Sequence, residues 1–245
     1  MEDRWETLGG AFGVWVNRSH TFGTDALLLA RFALECAPHA RRMADMGTGC
    51  GIIPLLWAQE RPQATLFGLE YQDTAAEMAR KSVCRSGVSD RVTVCTGDLR
   101  DWTVPPAERF DLIACNPPYF PTDSGAPAAD PARQLARAEA ECTLTDAASA
   151  AARNLTGTGW FCMIHRAERL CAVTDAMRGA GLEPKRMQLV QSDALHAPKL
   201  VLVAGRKNAK PGLQIAPTRL LNAAPVLFAK SPDGESDGEN VENSV

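Results

Sequence analysis

Four consecutive residues at the end of an apolar run, Asn116-Pro117-Pro118-Tyr119, have the side chains needed to hold an amino group. The exocyclic amino nitrogen of a base is a poor nucleophile, because its lone pair is delocalised into the ring. The Asn116 side-chain oxygen and the Pro117 carbonyl could accept both amino hydrogens, and the prolines fix φ and so hold that carbonyl in place. Tyr119 offers a flat face for an unstacked base. We predict that Asn116, Pro117 and Tyr119 align a target amino group for a transfer whose rate comes mostly from alignment.

A glycine-rich loop lies upstream, between an apolar run and a predicted helix. Its predicted ligand-binding residues are Asp45, Gly47, Thr48, Gly49 and Gly51. Glycines at alternate positions let the backbone turn sharply and approach a ligand without Cβ clashes. The GxGxG spacing is tighter than that of a dinucleotide loop. An aspartate before the loop suits a cofactor that carries an ammonium group and no phosphate.

Two more acidic residues follow the next predicted strands. Glu70 could accept hydrogen bonds from both ribose hydroxyls, as acidic residues do at the carboxyl edge of nucleoside-binding sheets. Asp98 could bond an adenine amino group, while Leu99 packs on the ring. We also expect Asn116 to border the cofactor. These residues predict an S-adenosylmethionine site and a methyltransferase that acts on the exocyclic amino nitrogen of a nucleic-acid base.

Alternating strand-like and helix-like segments must position these residues. Residues 11–23 predict a small hairpin or an extended entry segment, and Thr24 is a candidate N-cap. Seven strands are expected, at 41–47, 64–70, 91–98, 110–116, 160–165, 185–191 and 199–205. Helices are expected after Thr24 and at 52–60, 73–87, 143–155 and 166–180. This order predicts an α/β fold with a doubly wound, mostly parallel seven-stranded sheet and a C-terminal antiparallel hairpin.

Composition sets limits on the class of protein. The 245 residues suit one α/β domain, which we expect over 1–229, with an N-terminal hairpin and helix at 1–40 and a core at 41–220. Residues 230–245 hold five acids and one lysine and predict a disordered tail, which leaves 25 basic and 24 acidic residues elsewhere. The eight cysteines occur singly, without metal-ligand spacing, so we expect reduced thiols, no metal and a cytoplasmic protein. No apolar run is long enough for a membrane helix.

The chain resembles the bacterial tRNA adenine N6-methyltransferases that modify adenine 37 of a valine tRNA, over residues 10–220. The segments that carry the resemblance are GTDALLLARFA (23–33), DMGTGCGIIPLL (45–56), GLE (68–70), GDL (97–99), CNPPYF (115–120), HRAERL (165–170), EPKRM (183–187) and KPGL (210–213). The resemblance implies S-adenosylmethionine as cofactor, a class I methyltransferase fold and a tRNA substrate. It also implies cofactor contacts from Asp45, Gly47, Gly49, Gly51, Glu70 and Asp98, and a base held by Asn116, Pro117 and Tyr119.

Substrate identity stays open in several respects. Residues 137–139 read Arg-Ala-Glu where the family pattern has Arg-His-Glu, so any substrate contact from that histidine is absent. Arg166 and Arg169 stand one turn apart after a predicted strand and are candidates for RNA phosphates. The alternatives are a protein glutamine N5-methyltransferase, a DNA adenine methyltransferase, and an RNA-binding protein with a vestigial cofactor site. The sequence leaves the oligomeric state open, with a monomer expected.

Overall fold

The computed structural model describes residues 3–117 and 143–222. It contains ten strands and five α-helices within those residues. The strands are β1 (Arg4–Gly9), β2 (Phe12–Val16), β3 (Arg42–Met46), β4 (Thr65–Glu70), β5 (Val92–Thr96), β6 (Phe110–Cys115), β7 (Leu155–Arg166), β8 (Leu182–Gln191), β9 (Leu200–Lys207) and β10 (Gln214–Leu220). The helices are α1 (Thr24–Cys36), α2 (Ile52–Glu60), α3 (Asp73–Arg85), α4 (Leu144–Asn154) and α5 (Leu170–Gly179), with short 3-10 turns at Pro106–Glu108 and Ala167–Arg169.

Eight strands form one sheet in the order β10-β8-β9-β7-β6-β3-β4-β5. Within this sheet β9 runs antiparallel to both of its neighbours, and the other described pairings are parallel. The predicted fold class and C-terminal hairpin are therefore confirmed. The strand count of seven was one too low, because β10 extends the sheet beside β8.

The additional strand lacks the pattern by which strands are recognised in a sequence. β10 reads QIAPTRL, has a proline in its interior, and is exposed at most positions. Proline cannot donate to a ladder and is confined to edges or irregular positions. The pairing of β10 with β8 is irregular between Ala216 and Arg219, which spans Pro217. An edge strand of this kind leaves no apolar alternation to detect.

Two apolar layers cover the sheet. On one face α1, α2 and α3 pack around a core that includes Trp57 and Phe32, and on the other α4 and α5 pack around Phe110 and Phe161. Trp57 is fully buried, and its ring N–H donates to the Ala30 carbonyl at 3.0 Å, so α2 is tied to α1. The carboxyl ends of the parallel strands β3, β4, β5 and β6 lie side by side, and this edge carries the polar residues described below.

The first two strands form a separate hairpin that packs on α3. Ser82 accepts a hydrogen bond from the Trp15 backbone N–H at 2.8 Å. The Arg85 guanidinium lies over the rings of Trp5 and Trp15, at 4.3 and 4.8 Å from their centroids. The hairpin begins earlier than the 11–23 segment predicted for it. Thr24 is the first helical residue and Gly23 is the N-cap, so the cap assignment was wrong by one residue.

Candidate functional site

The sheet register brings the predicted site residues to one edge. Met46 at the end of β3 lies opposite Leu69 of β4 and Cys115 of β6, and Glu70 lies opposite Thr96 of β5. The next residue along each strand therefore falls in one row, which consists of Asn116, Gly47, Glu70 and Thr96, and Gly97 and Asp98 follow Thr96. We call this set, with the loop residues that follow it, the carboxyl-edge row.

The glycine loop begins the row. Gly47, Gly49 and Gly51 have φ values of 74°, 55° and 86°, a region that L residues other than glycine enter only at a cost. The backbone N–H groups of Gly47 and Thr48 both donate to the Leu69 carbonyl, at 2.8 and 2.9 Å. A Cβ on Gly51 would also lie 3.0 Å from the Ala79 Cβ. At Gly47 and Gly49 a Cβ would meet nothing within 4 Å, so the described residues leave space above the loop.

Asp45 lies beneath this loop and is almost fully buried, with 1% of its surface exposed. Burial raises its pKa from the ordinary 3.8 to about 8; the neighbouring Thr48 side chain opposes this shift, and the charge of Glu70 adds to it. Asp45 Oδ1 and Thr48 Oγ1 are buried without a hydrogen-bond partner among the described residues. Unpaired buried polar atoms are costly, so they are a reason to expect a ligand. An ammonium group and a neighbouring hydrogen-bonding group would satisfy both atoms, which fits the predicted cofactor.

Glu70 connects the loop to the next strand end. Its Oε2 accepts from the Gly49 N–H at 2.7 Å, and its Oε1 accepts from the Gln72 N–H at 3.0 Å. A carboxylate offers about four acceptor positions, so these two bonds leave capacity for ribose hydroxyls. Glu70 thus holds the loop in place and remains suited to the predicted ribose contact.

Asp98 is engaged by a neighbouring arginine. The Arg100 guanidinium and backbone N–H both bond its carboxylate, with Nε–Oδ2 at 2.9 Å and N–Oδ1 at 2.8 Å. The Arg100 bond is the largest cause that lowers the pKa of Asp98. Gly97 before it donates to the Glu70 carbonyl at 2.8 Å, which sets Asp98 beside the row. Leu99 is partly buried against the core. An adenine amino group would have to share Asp98 with Arg100.

A buried asparagine that the sequence analysis did not single out holds this loop. Asn154, at the end of α4, has no exposed surface. Its side chain accepts from the Val104 N–H at 2.8 Å and donates to the Trp102 and Ala150 carbonyls at 3.0 and 2.9 Å. Arg153 beside it donates to the Leu99 and Arg100 carbonyls. Apart from Ala150, these partners lie 50 to 54 residues away in sequence, so no local pattern identifies Asn154 and Arg153 as positioning residues.

The predicted amino-group clamp is described in part. Asn116 and Pro117 follow the last residue of β6 directly and are half-buried in the carboxyl-edge row. Tyr119 and residues 137–139 lie outside the described residues. The structure therefore places Asn116 and Pro117 next to the glycine loop, two strands away from Glu70.

The candidate phosphate contacts lie one strand further along. Arg166 ends β7, and Arg169 caps α5 after the short 3-10 turn. Arg166 Nε forms an exposed ion pair with Glu168 Oε1 at 2.9 Å, which the sequence analysis did not anticipate. His165 Nδ1 accepts from the Arg166 backbone N–H at 2.9 Å, and burial, followed by the charge of Arg169, lowers the pKa of this histidine. Both arginines are at the carboxyl edge, beside β6.

Cys50 lies within the glycine loop, and burial raises the pKa of its thiol to about 12, so it is protonated. Among the other described cysteines, the free thiols include Cys36, Cys84, Cys95, Cys162 and Cys171. Those ranges hold no cluster of three histidine, cysteine or acidic residues placed for a metal ion, and no helix in them is long and apolar enough to span a membrane.

The strand order, the positive-φ glycine loop and the acidic residues at successive strand ends define the class I methyltransferase fold. Residues 7–155 match the Methyltransferase small domain family, and the chain belongs to that family. The fold and the family imply S-adenosylmethionine as the methyl donor, and Asp45, Thr48 and Glu70 fit it.

Curated relatives carry a more specific name. The chain is 37% identical over 153 residues to a protein of Porphyromonas gingivalis named tRNA1(Val) (adenine(37)-N6)-methyltransferase, which covers 60% of this chain and 59% of that one. It is 35% identical over 143 residues to a protein of the same name from Cronobacter sakazakii, covering 58% and 57%. The match thus spans less than two thirds of the length of these relatives.

Solved structures share the fold. A predicted O-methyltransferase from Agrobacterium tumefaciens has a TM-score of 0.62 at 20% identity, with 85% of this chain and 92% of that chain covered. TrmN from Thermus thermophilus has a TM-score of 0.53 at 18% identity, with coverage of 74% and 48%. At these identities the similarity concerns the fold alone.

Proposed function

We propose that the protein transfers the methyl group of S-adenosylmethionine to N6 of an adenine in a tRNA anticodon loop, at position 37 of a valine tRNA. The observation that carries this proposal is the position of Asn116 and Pro117, in the same row as the glycine loop and Glu70. The names of the curated relatives support the tRNA substrate. We also propose a cytoplasmic location, in keeping with a tRNA substrate.

The residues at the carboxyl edge have two proposed roles, donor binding and positioning of the target amino group. Asp45, Thr48 and Glu70 bind the ammonium and ribose groups of the donor, which supplies an electrophilic methyl carbon when bound. The Asn116 side-chain oxygen and the Pro117 carbonyl accept the two amino hydrogens, and so direct the nitrogen lone pair at that carbon. A strong base is not needed, because the nitrogen proton becomes acidic once the methyl group is attached. Alignment of nucleophile and methyl carbon supplies most of the rate.

The RNA is proposed to contact the same edge. Tyr119 stacks on the unpaired base, and Arg166 and Arg169 contact phosphates. An anticodon-loop base is single-stranded, so little pairing has to be broken to bring it into the pocket. Arg166 would exchange Glu168 for a phosphate, an exchange of one exposed ion pair for another.

The test is nucleoside mass spectrometry of unmodified total tRNA after incubation with the protein and S-adenosylmethionine. We expect new N6-methyladenosine, and none with the Asn116→Ala variant. A release-factor protein and an unmethylated DNA duplex serve as competing substrates in parallel reactions. Methylated glutamine or DNA adenine without methylated tRNA would replace the proposed substrate, and bound donor without any methylated product would favour the non-enzymatic alternative.

A further inference from the structure

A short segment of the chain crosses over the carboxyl edge on the face covered by α1 and α3. We call residues 17–23 the crossing segment. In its middle, His20 Nε2 lies 3.1 Å from the hydroxyl of Thr74, which is in the first turn of α3 and four residues after Glu70. At its carboxyl end Gly23 caps α1, whose residues pack against β6 and β7. Only five residues separate the end of α1 from β3, so α1 must run antiparallel to β3 and begin at the carboxyl edge.

The conformation of this segment is fixed by one side chain. Asn17 Oδ1 accepts from the backbone N–H groups of Ser19 and His20, at 3.0 and 2.9 Å. Asn17 Nδ2 donates to Asp3 Oδ1 at 3.0 Å, and its backbone N–H donates to the His20 carbonyl at 2.9 Å. Arg18 therefore stands at the exposed tip of a turn whose backbone is held on both sides.

Arg18 is exposed and has no ion-pair partner among the described residues. No hydrogen bond or ion pair joins its side chain to residues 3–117 or 143–222. Arg4 nearby is exposed and already paired with Glu6. Both arginines line a cavity with a volume of about 560 Å³. Its other lining residues are Asp3, Val16, Asn17 and Thr21. A concave surface with an unpaired guanidinium suits a phosphate group, which arginine binds in a bidentate manner.

The position of this surface complements that of the two arginines after β7. Arg166 and Arg169 flank the target position next to β6 on the β7 side. The crossing segment is attached to α3, which follows β4, two strands from β6 on the other side. At about 4.8 Å per strand, this separation is about 10 Å along the edge. A single-stranded loop with one base in the pocket extends away from it in both directions.

We propose that the crossing segment is an RNA-phosphate contact surface, with Arg18 as its phosphate ligand, on the side of the pocket opposite Arg166 and Arg169. This inference rests on the proposed tRNA substrate. Phosphate contacts fix the register of a nucleic acid without reading its sequence, so Arg18 would help to choose which base reaches Asn116.

The test is the salt dependence of binding of an unmodified valine tRNA transcript to the full chain and to Arg18→Gln. We expect weaker binding at 50 mM salt and a log–log slope smaller by about 0.7, the value for one phosphate of a single strand. The ratio of wild-type to Arg18→Gln affinity for the tRNA should then decrease about 2.6-fold between 50 and 200 mM salt. Arg18→Lys should restore the slope, because it keeps the charge. S-adenosylmethionine affinity should be the same in all three proteins.

A matched control is Arg178→Gln, which removes an exposed arginine that pairs with Glu183 at the end of α5, on the opposite edge of the sheet. It should leave the slope unchanged. An unchanged slope in Arg18→Gln, with salt-dependent binding by the wild type, would overturn the surface and leave the proposed function intact. No binding and no methylation of tRNA by the wild type would overturn the proposed function itself.

Discussion

The buried carboxyl of Asp45 makes a specific prediction about pH. Burial raises its folded-state pKa to about 8 from an ordinary value of 3.8. The stability that this proton binding contributes is present in full below pH 3.8 and is lost as the pH rises towards 8. Each pH unit in this window costs about 1.36 kcal/mol of unfolding free energy. Asp45→Asn keeps the shape and carries no titrating proton.

Without donor, we therefore expect the free energy of unfolding of Asp45→Asn, relative to that of the wild type, to rise by about 2 kcal/mol between pH 6 and pH 7.5. The measurement is urea unfolding of both proteins at several pH values. Asn154 is not a suitable position for the control, because the Asn154 side chain supports the Asp98 loop. Asp175→Asn is suitable, since it neutralises a carboxyl on α5, far from Asp45 in sequence. If the difference in unfolding free energy between Asp45→Asn and the wild type stays constant across this pH range, Asp45 is not a buried carboxyl with a raised pKa.

Donor binding should show the opposite dependence. If the ammonium group binds the ionised form of Asp45, wild-type affinity should rise up to about tenfold per pH unit between pH 6 and 7.5. Binding should release close to one proton, which calorimetry in two buffers of different ionisation enthalpy measures. Asp45→Asn should bind weakly at every pH and release none. If donor affinity is independent of pH and binding releases no proton, the ammonium group of the donor does not bind Asp45.

Three further predictions concern the scaffold and the clamp. Gly51→Ala should cost about 1–3 kcal/mol, because the residue has φ of 86° and its Cβ would crowd Ala79; Gly179→Ala, in open space, is the control for thermal unfolding. Asn154→Ala should cost about 2–4 kcal/mol and also weaken donor binding, so a stability loss with unchanged donor affinity in calorimetry would remove its role in placing Asp98. Asn116→Ala should abolish methyl transfer in a tritium-transfer assay and change donor affinity by less than about threefold, whereas lost donor affinity would contradict the role assigned to it.

The central parts of the fold could be predicted because their signals are local. The helix predicted at 52–60 is α2, Ile52–Glu60. The apolar runs before Gly47 and Asn116 form β3 and β6, which end at Met46 and Cys115. A parallel sheet brings its carboxyl ends together, so residues that follow successive strands meet even when 70 residues separate them. This rule was sufficient to predict the carboxyl-edge row.

The parts that could not be predicted depend on distant partners or on weak patterns. Asn154 bonds Val104 and Trp102 across about 50 residues, and a lone asparagine at a helix end has no sequence signal for that role. β10 is largely exposed, β1 is mostly half-buried, and neither shows apolar alternation. Arg100, two residues after Asp98, could in principle have been recognised as its partner, but only the structure gives the bidentate geometry, with Nε on Oδ1 and the terminal nitrogen on Oδ2.

The three carboxyl groups near the row are accommodated in three different ways, and this determines how a donor would bind. Asp45 is buried and held neutral by its raised pKa, Glu70 accepts two backbone N–H groups, and Asp98 is paired with Arg100. A ligand would have to displace a proton at the first, add bonds at the second and share an ion pair at the third. The ammonium end of the donor should therefore carry the pH dependence of binding. The adenine end should instead be sensitive to Arg100→Gln, because that change frees Asp98 while leaving Asp45 as it is.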